Sequence, residues 1–216
     1  MKIAVILAGS GVYDGSEIYE TTLTLLSLDK AGVSVQCMAP DIPQAHVINH
    51  LTGEEMPGEQ RNVLIEAARV ARGEIIDLAE ANPADYDALI VPGGFGVAKN
   101  LCDFAFQGDA MQIHPGVQTF IQAVHHAGKP VGLICIAPTM AARLFGEGTL
   151  CTIGSNEEVA GAIERMGGKH QVCPVDAFVV DEARKLVTTP AYMEAGRISE
   201  AAAGIEKLVA KIIAMA

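Results

Sequence analysis

Pro130-Val131-Gly132-Leu133-Ile134-Cys135-Ile136-Ala137-Pro138 is the stretch on which the reading of this chain turns. An apolar run delivers one cysteine to a sharp turn. A helical segment starts at or near Pro138, because proline is favoured in the first turn of a helix. The cysteine therefore lies near a helix N-terminus, where free N–H groups and the positive dipole end favour thiolate over thiol. This is the layout of a strand-to-helix nucleophile elbow with sulfur in place of the serine oxygen. Packing is the competing explanation, since free cysteine is among the most buried residue types.

Outward from the elbow, strands and helices alternate. Lys2–Ala8 is a continuous apolar run, as in a strand covered on both faces. Ser16–Ala31 has a helical pattern, Val33–Ala39 is a second strand, and 41–56 is irregular and rich in His and Asn. Arg61–Arg72 is helical, Ile75-Ile76 a short strand, and Asp87–Val91 a buried strand running into Pro92-Gly93-Gly94-Phe95-Gly96. Asn100–Pro115 is a long mixed connection and Thr119–Ala127 a helix. Val131–Ile134 is the cysteine strand, and Thr139–Leu144 continues the helix behind it. Cys151–Ile153, Val172–Val175, Phe178–Val180 and Leu186–Thr189 read as strands, with Glu157–Met166 a helix and Ser199–Met215 a long amphipathic final helix. Parallel crossovers of this kind imply a doubly wound sheet whose sites lie beyond the strand C-termini. The chain is expected to form a single domain over 1–216.

With 216 residues, 50% of them hydrophobic and only 5% aromatic, the core must be built from aliphatic side chains. A net charge of −11 argues against nucleic acid or an anionic membrane as the main partner. No apolar run approaches the roughly 20 residues of a membrane-spanning helix. Met1–Leu7 reads as a buried first strand, not a secretion signal. The five cysteines (Cys37, Cys102, Cys135, Cys151, Cys173) are odd in number and scattered, with no metal or disulfide spacing, so a reducing compartment, the cytoplasm, is expected. Cys37 and Cys151 read as strand packing, Cys173-Pro174 as a strand end, and Cys102 as a redox-sensitive thiol in a flexible connection.

Three loops meet at the expected site: after Ala8, after Val91 and after Ile134. They bring Glu17, Gly93-Gly94 and Cys135. Glu17, placed in the first turn of the first helix, has two readings. It is a helix-terminal charge in a capping-box variant, or a buried carboxyl with a raised pKa that moves protons beside the cysteine. The glycines allow close approach of a substrate, and the N–H groups of Gly93, Gly94 and Ile136 are candidate oxyanion donors. His170, Asn49 and Lys99 are candidate pocket-lining residues, with surface roles as the alternative. Gly9-Ser10-Gly11-Val12-Tyr13-Asp14-Gly15 loosely follows a dinucleotide fingerprint, with Asp41 standing in for the ribose-binding acid. Its third glycine falls one position late. No histidine pair has metal-ligand spacing.

Longer motifs carry a resemblance through nearly the whole chain. Gly-Val-Tyr-Asp-Gly-Ser-Glu at 11–17, Val-Ile-Asn-His-Leu-Thr-Gly-Glu at 47–54 and Arg-Asn-Val-Leu-Ile-Glu-Ala-Ala-Arg at 61–69 are similar to the ElbB family. So are Ala-Leu-Ile-Val-Pro-Gly-Gly-Phe-Gly-Val-Ala-Lys-Asn-Leu at 88–101, Cys-Ile-Ala-Pro at 135–138 and Val-Thr-Thr-Pro-Ala-Tyr-Met at 187–193. These are the enhancing-lycopene-biosynthesis proteins, also described as isoprenoid biosynthesis proteins with an amidotransferase-like domain. They sit within the superfamily of PfpI-type proteases and class I glutamine amidotransferases. The resemblance implies a flavodoxin-like α/β sandwich, a homodimer, and a reactive elbow cysteine (Cys135) partnered by an early glutamate (Glu17). It also implies a glutathione-independent glyoxalase activity on glyoxal or methylglyoxal, with no metal, flavin or other cofactor. A redox- or carbonyl-sensing role in isoprenoid metabolism is the alternative. The chain departs from the pattern in two places. PfpI-type members carry histidine directly after the cysteine, where this chain has Ile136, and 188–192 holds no late histidine of the amidotransferase kind.

Overall fold

The computed structural model describes residues 1–216. Its first half runs β1 (Lys2–Ile6), α1 (Ile18–Lys30), β2 (Ser34–Ala39), a small hairpin of β3 (Ile48–Asn49) and β4 (Glu54–Glu55), α2 (Val63–Val70), β5 (Ile75–Asp77) and β6 (Ala88–Val91). The second half runs α3 (Phe104–Gln107), α4 (Pro115–His126), β7 (Val131–Ile134), α5 (Ala141–Phe145), β8 (Leu150–Cys151), α6 (Glu157–Arg165), β9 (Lys169–His170), β10 (Val179–Asp181), β11 (Leu186–Thr189) and α7 (Ile198–Met215).

Seven strands form one sheet in the order β10-β11-β7-β6-β1-β2-β5. All neighbours are parallel except the β10–β11 pair at one edge. This is the flavodoxin-like, doubly wound architecture expected from the alternation of elements. Successive strand residues point to opposite faces, and Ile3 through Ala8, Ala88 through Val91 and Val131 through Ile134 are buried without a break. Both faces of the central strands are therefore covered, which is why they read as continuous apolar runs. α7 lies against α1, β7 and β11, with Leu208 and Ile212 seated over the space left by Gly132.

Two segments differ from expectation. Val172–Val175 is not a strand: Val172 is exposed and Pro174 has no N–H to donate to a ladder. Its place is taken by β9, which pairs with β8 in a separate two-stranded ribbon. The irregular 41–56 segment contains the β3–β4 hairpin.

The order β1-β6-β7 places the ends of three neighbouring parallel strands side by side, and their following loops form one floor. Asn100 locks that floor. Its amide donates to the carbonyls of Ala8 (2.9 Å) and Asp14 (3.0 Å) and accepts the Ala45 N–H (2.9 Å). Ser16 Oγ accepts the Ala8 N–H at 2.8 Å. Several N–H groups in and beside the 9–15 loop are already bonded within the protein. Gly11 donates to Ser16, Gly15 to Gly11 and Glu17 to Gly93. Asn100→Ala strands three backbone groups at once, and unfolding in urea should show a loss of about 3 kcal/mol.

Candidate active site

Cys135 follows β7 directly and has φ 62°, a left-handed conformation that non-glycine residues seldom adopt. The strand is pinned up to this point, since the Cys135 N–H donates to Thr189 of β11 at 2.9 Å. The strained turn presents the sulfur at the C-terminal edge of the sheet, as an elbow requires. Behind it the chain winds first as a 3-10 turn over Ala137–Met140 and then as α5.

Gly93 and Gly94, after β6, form the facing wall. Gly94 has φ +100°, and a Cβ there would collide with the Glu17 nitrogen and the Gly15 carbonyl. A Cβ on Gly93 would overlap Cys135 and lie 2.6 Å from Glu20 Oε2. The pair is glycine because three loops converge where side chains would stand.

The carboxyl beside the sulfur is Glu20, which the sequence reading missed. It is fully buried in α1. Its Oε2 accepts the Gly93 N–H at 2.9 Å, its Oε1 accepts the Tyr192 N–H at 3.1 Å, and it hydrogen-bonds the Cys135 thiol. Burial pushes the Glu20 carboxyl up to about 7 against the pull of those donors, with the nearby Glu17 charge adding to the rise. Glu17, the expected partner, is instead the N-cap of α1. Its Oε2 accepts the Glu20 N–H at 2.6 Å, and burial raises its pKa against that bond. Glu17 lines the cavity mouth, while the charged group acting on the sulfur is Glu20. The i,i+3 spacing of Glu17 and Glu20 is a signal that both face one way; it does not say which one reaches the sulfur.

The backbone donors divide in the same manner. The N–H groups of Gly94 and Ile136 point at the sulfur. The Gly93 N–H is consumed by Glu20 and is not free for an oxyanion. Burial and the Glu20 charge push the Cys135 thiol well up, and the two N–H groups only partly offset that rise. The thiolate expected from a helix N-terminus is therefore not the resting form. The reason is that desolvation of a fully enclosed sulfur exceeds what one short turn of backbone returns.

The three candidate lining residues lie elsewhere. Asn49 caps its own turn, its Oδ1 accepting the Leu51 N–H at 3.0 Å. Lys99 donates to the Tyr13 carbonyl at 2.9 Å. His170 in β9 accepts the Ile153 N–H through Nε2 at 3.3 Å, and burial lowers its pKa. Cys102 is buried, donates to the Val97 carbonyl and has its thiol pushed up to about 12, so it is not the accessible redox thiol expected of a flexible loop. Cys173 is buried in irregular chain beside Pro174.

Cys135 opens on a cavity of about 270 Å³ whose wall includes Glu17, Phe95, Phe104, Val159 and Tyr192. A larger cavity of about 520 Å³ lies past the ends of β2 and β5, beside the start of α4, and contains no cysteine. The elbow cysteine lies in the smaller one. No cluster of three or more His, Cys, Asp or Glu side chains is arranged to hold a metal ion, and no helix is long and apolar enough to cross a membrane.

A flavodoxin-like sheet with an elbow cysteine and a buried glutamate defines a class. Residues 1–195 match the DJ-1/PfpI family, and the chain belongs to it. A human relative, named glutamine amidotransferase-like class 1 domain-containing protein 3, mitochondrial, is 44% identical over 98% of this chain and 82% of its own. The crystal structure of an isoprenoid biosynthesis protein with an amidotransferase-like domain from Ehrlichia chaffeensis superposes with a TM-score of 0.92 at 35% identity. That match covers 100% of this chain and 99% of the other. Glyoxalase III from Candida albicans has the same fold at 14% identity and a TM-score of 0.61, covering 100% and 97% of the two chains. The expectation of a cytoplasmic protein is contradicted: the human relative and the rat and zebrafish ES1 proteins are all named as mitochondrial. Unpaired thiols speak for a reducing environment and carry no address within the cell.

An unfolded glutamate titrates near 4.5 and folded Glu20 near 7, so between these values the unfolded chain binds fewer protons. The contribution of Glu20 to stability is full below 4.5 and is lost as the pH rises through 7. Glu20→Gln should flatten that part of the stability–pH profile. Alkylation of Cys135 by iodoacetamide should rise with an inflection near pH 7 as Glu20 becomes able to take the thiol proton. In Glu20→Gln the inflection moves into the alkaline range, whereas Glu17→Gln leaves it near neutrality.

Proposed function

We propose that this protein is a glutathione-independent glyoxalase-type hydro-lyase of the ElbB kind, converting glyoxal to glycolate or methylglyoxal to lactate at Cys135. The observation that carries the reading is the contact between the Cys135 thiol, which lines a small hollow, and a buried carboxyl held near neutrality. Cys135 sulfur attacks the aldehyde carbon while its proton passes to Glu20, and the oxygen of the resulting hemithioacetal is bound by the N–H groups of Gly94 and Ile136. Glu20 returns that proton to the oxygen. The carboxylate then removes the hydrogen from the former aldehyde carbon, leaving an enediolate, and the hydroxyl proton shifts to the neighbouring oxygen. Return of the proton to the neighbouring carbon produces a 2-hydroxy thioester on Cys135. Water cleaves the thioester, releasing the hydroxy acid and restoring the thiol. Every atom comes from the dicarbonyl and one water, and the net change is an internal redox exchange between the two carbonyl carbons.

Ile136 bears on the reaction class. It has no group to accept a proton, so the Cys-His route of PfpI-type proteases finds no support in this site. The link to isoprenoid biosynthesis rests on the name of the Ehrlichia protein and on the motif resemblance. For the homodimer implied by that resemblance, the exposed Ile18, Tyr19 and Leu26 of α1 offer apolar surface.

A second reading, a carbonyl- or redox-sensing protein without efficient turnover, draws on the thiol being held in its protonated form. Steady-state measurement of hydroxy acid separates the two. Catalysis predicts many turnovers per Cys135, complete loss in Cys135→Ala, and a loss of 10²-fold or more in Glu20→Gln. A single equivalent of modified Cys135 with no further product favours the sensor, and turnover retained in Cys135→Ala rejects the cysteine as nucleophile.

A further inference from the structure

Most of the cavity wall is apolar. Glu20 and the N–H groups of Gly94 and Ile136 converge on the sulfur. Away from it the wall is built mainly from Phe95, Phe104, Ile136, Val159, Tyr192 and Met193, with Asn156 and Glu17 as its polar side chains, and no lysine, arginine or histidine lines it. These side chains come from five separate places: the turn after β6, the long connection at α3, the elbow itself, the first turn of α6, and the turn after β11. An apolar surface assembled from so many elements is not the by-product of one amphipathic helix. Its volume of about 270 Å³ corresponds to roughly nine waters at ~30 Å³ each. Glyoxal, which has no side group, leaves most of that space to water held against apolar walls.

Resting on the glyoxalase-type chemistry above, we propose that the Cys135 site takes carbonyl compounds with an apolar tail, its substrates being aryl- or branched alkyl-substituted α-oxoaldehydes in preference to glyoxal. The tail displaces water from walls that are mostly apolar. The aldehyde carbon meanwhile reaches the sulfur beside Glu20. Acidic tails are disfavoured, because the cavity contains a carboxyl at Glu17 and no cation to pair with an anion. Phe104 and Val159, which line the cavity from α3 and α6, are the specificity-determining residues of this proposal, in contact with the tail of the substrate.

The test compares kcat/KM for phenylglyoxal, methylglyoxal and glyoxal in the wild-type protein and in Val159→Asp, a substitution in the first turn of α6 where a carboxylate suits the helix end. Phenylglyoxal is expected to exceed glyoxal by tenfold or more, and Val159→Asp to reduce that ratio by a similar factor. In parallel, acetaldehyde and phenylacetaldehyde, which cannot complete the reaction, are titrated as protectants of Cys135 against iodoacetamide. Phenylacetaldehyde should protect at concentrations at least tenfold lower. Turnover of oxoaldehydes with glyoxal equal to or better than phenylglyoxal overturns the tail preference and leaves the glyoxalase reading standing. Absence of turnover with selective protection by phenylacetaldehyde does the reverse: the catalytic reading falls and the apolar-carbonyl site stands. Equal protection by the two aldehydes overturns the inference whatever the turnover.

Discussion

A single buried carboxyl, that of Glu20, joins the pieces on which this site depends. It extends from α1 to the backbone of Gly93 after β6, to the backbone of Tyr192 after β11, and to the thiol of Cys135 after β7. A carboxylate enclosed in protein is costly unless donors meet it, and here two backbone N–H groups do so. They do not restore the full solvation that water provides, so the group titrates near 7. That shortfall is what makes Glu20 useful. An acid that held its charge as firmly as a solvated glutamate would be a poor acceptor for a thiol proton, whereas one poised near neutrality can accept and return it.

The elbow supplies the complementary half. The positive φ of Cys135 turns the chain away from the sheet and leaves the sulfur facing the Gly93–Gly94 wall, at a separation only glycines allow. Enclosure of this kind has an electrostatic consequence. The sulfur is shielded from water and faces a carboxyl of the same potential charge, and both effects hold it as a thiol. Backbone N–H groups of Gly94 and Ile136 act in the opposite direction without prevailing. In the proposed reaction, nucleophile and base are made together, by one proton crossing one hydrogen bond. The strain in the turn and the two buried groups are tolerated because the surrounding strands are pinned by ladder bonds on both sides of β7.

Around this pair the chain builds a hollow with little polarity. Ile136 stands where PfpI-type proteins place an imidazole, and Phe104 arrives from a long connection that contributes no strand to the sheet. In the proposed reaction, proton transfer is thereby left to Cys135 and Glu20. Other buried thiols differ in kind: Cys37, Cys102 and Cys151 are pushed up by burial alone or nearly so, with no carboxyl acceptor in contact.

Much of the architecture was legible in the linear pattern, because hydrophobic runs of four to seven residues separated by glycine-terminated helices admit few arrangements other than a parallel sheet covered on both faces. Cys135 was legible for the same reason: a strand end followed by proline marks a turn, and the fold places such turns at one edge. What the pattern did not decide is which acid meets the sulfur. Glu17 and Glu20 lie one helical turn apart, and the outcome depends on where α1 begins. The helix starts at Ile18, two residues later than periodicity suggests, so Glu17 becomes the cap and bends back to the Glu20 N–H. Glu20 is thereby left to point inward. The fate of Gly93 follows from this, since its N–H is taken by the inward carboxyl. The placement of Asn49, Lys99 and His170 outside the cavity was likewise beyond sequence, Asn49 being held by its own turn and the other two by backbone groups distant in the chain. Periodicity determines which residues share a face of the sheet; the ionisation and the partners of the groups at its edge are decided by burial and by contacts between segments far apart in the chain.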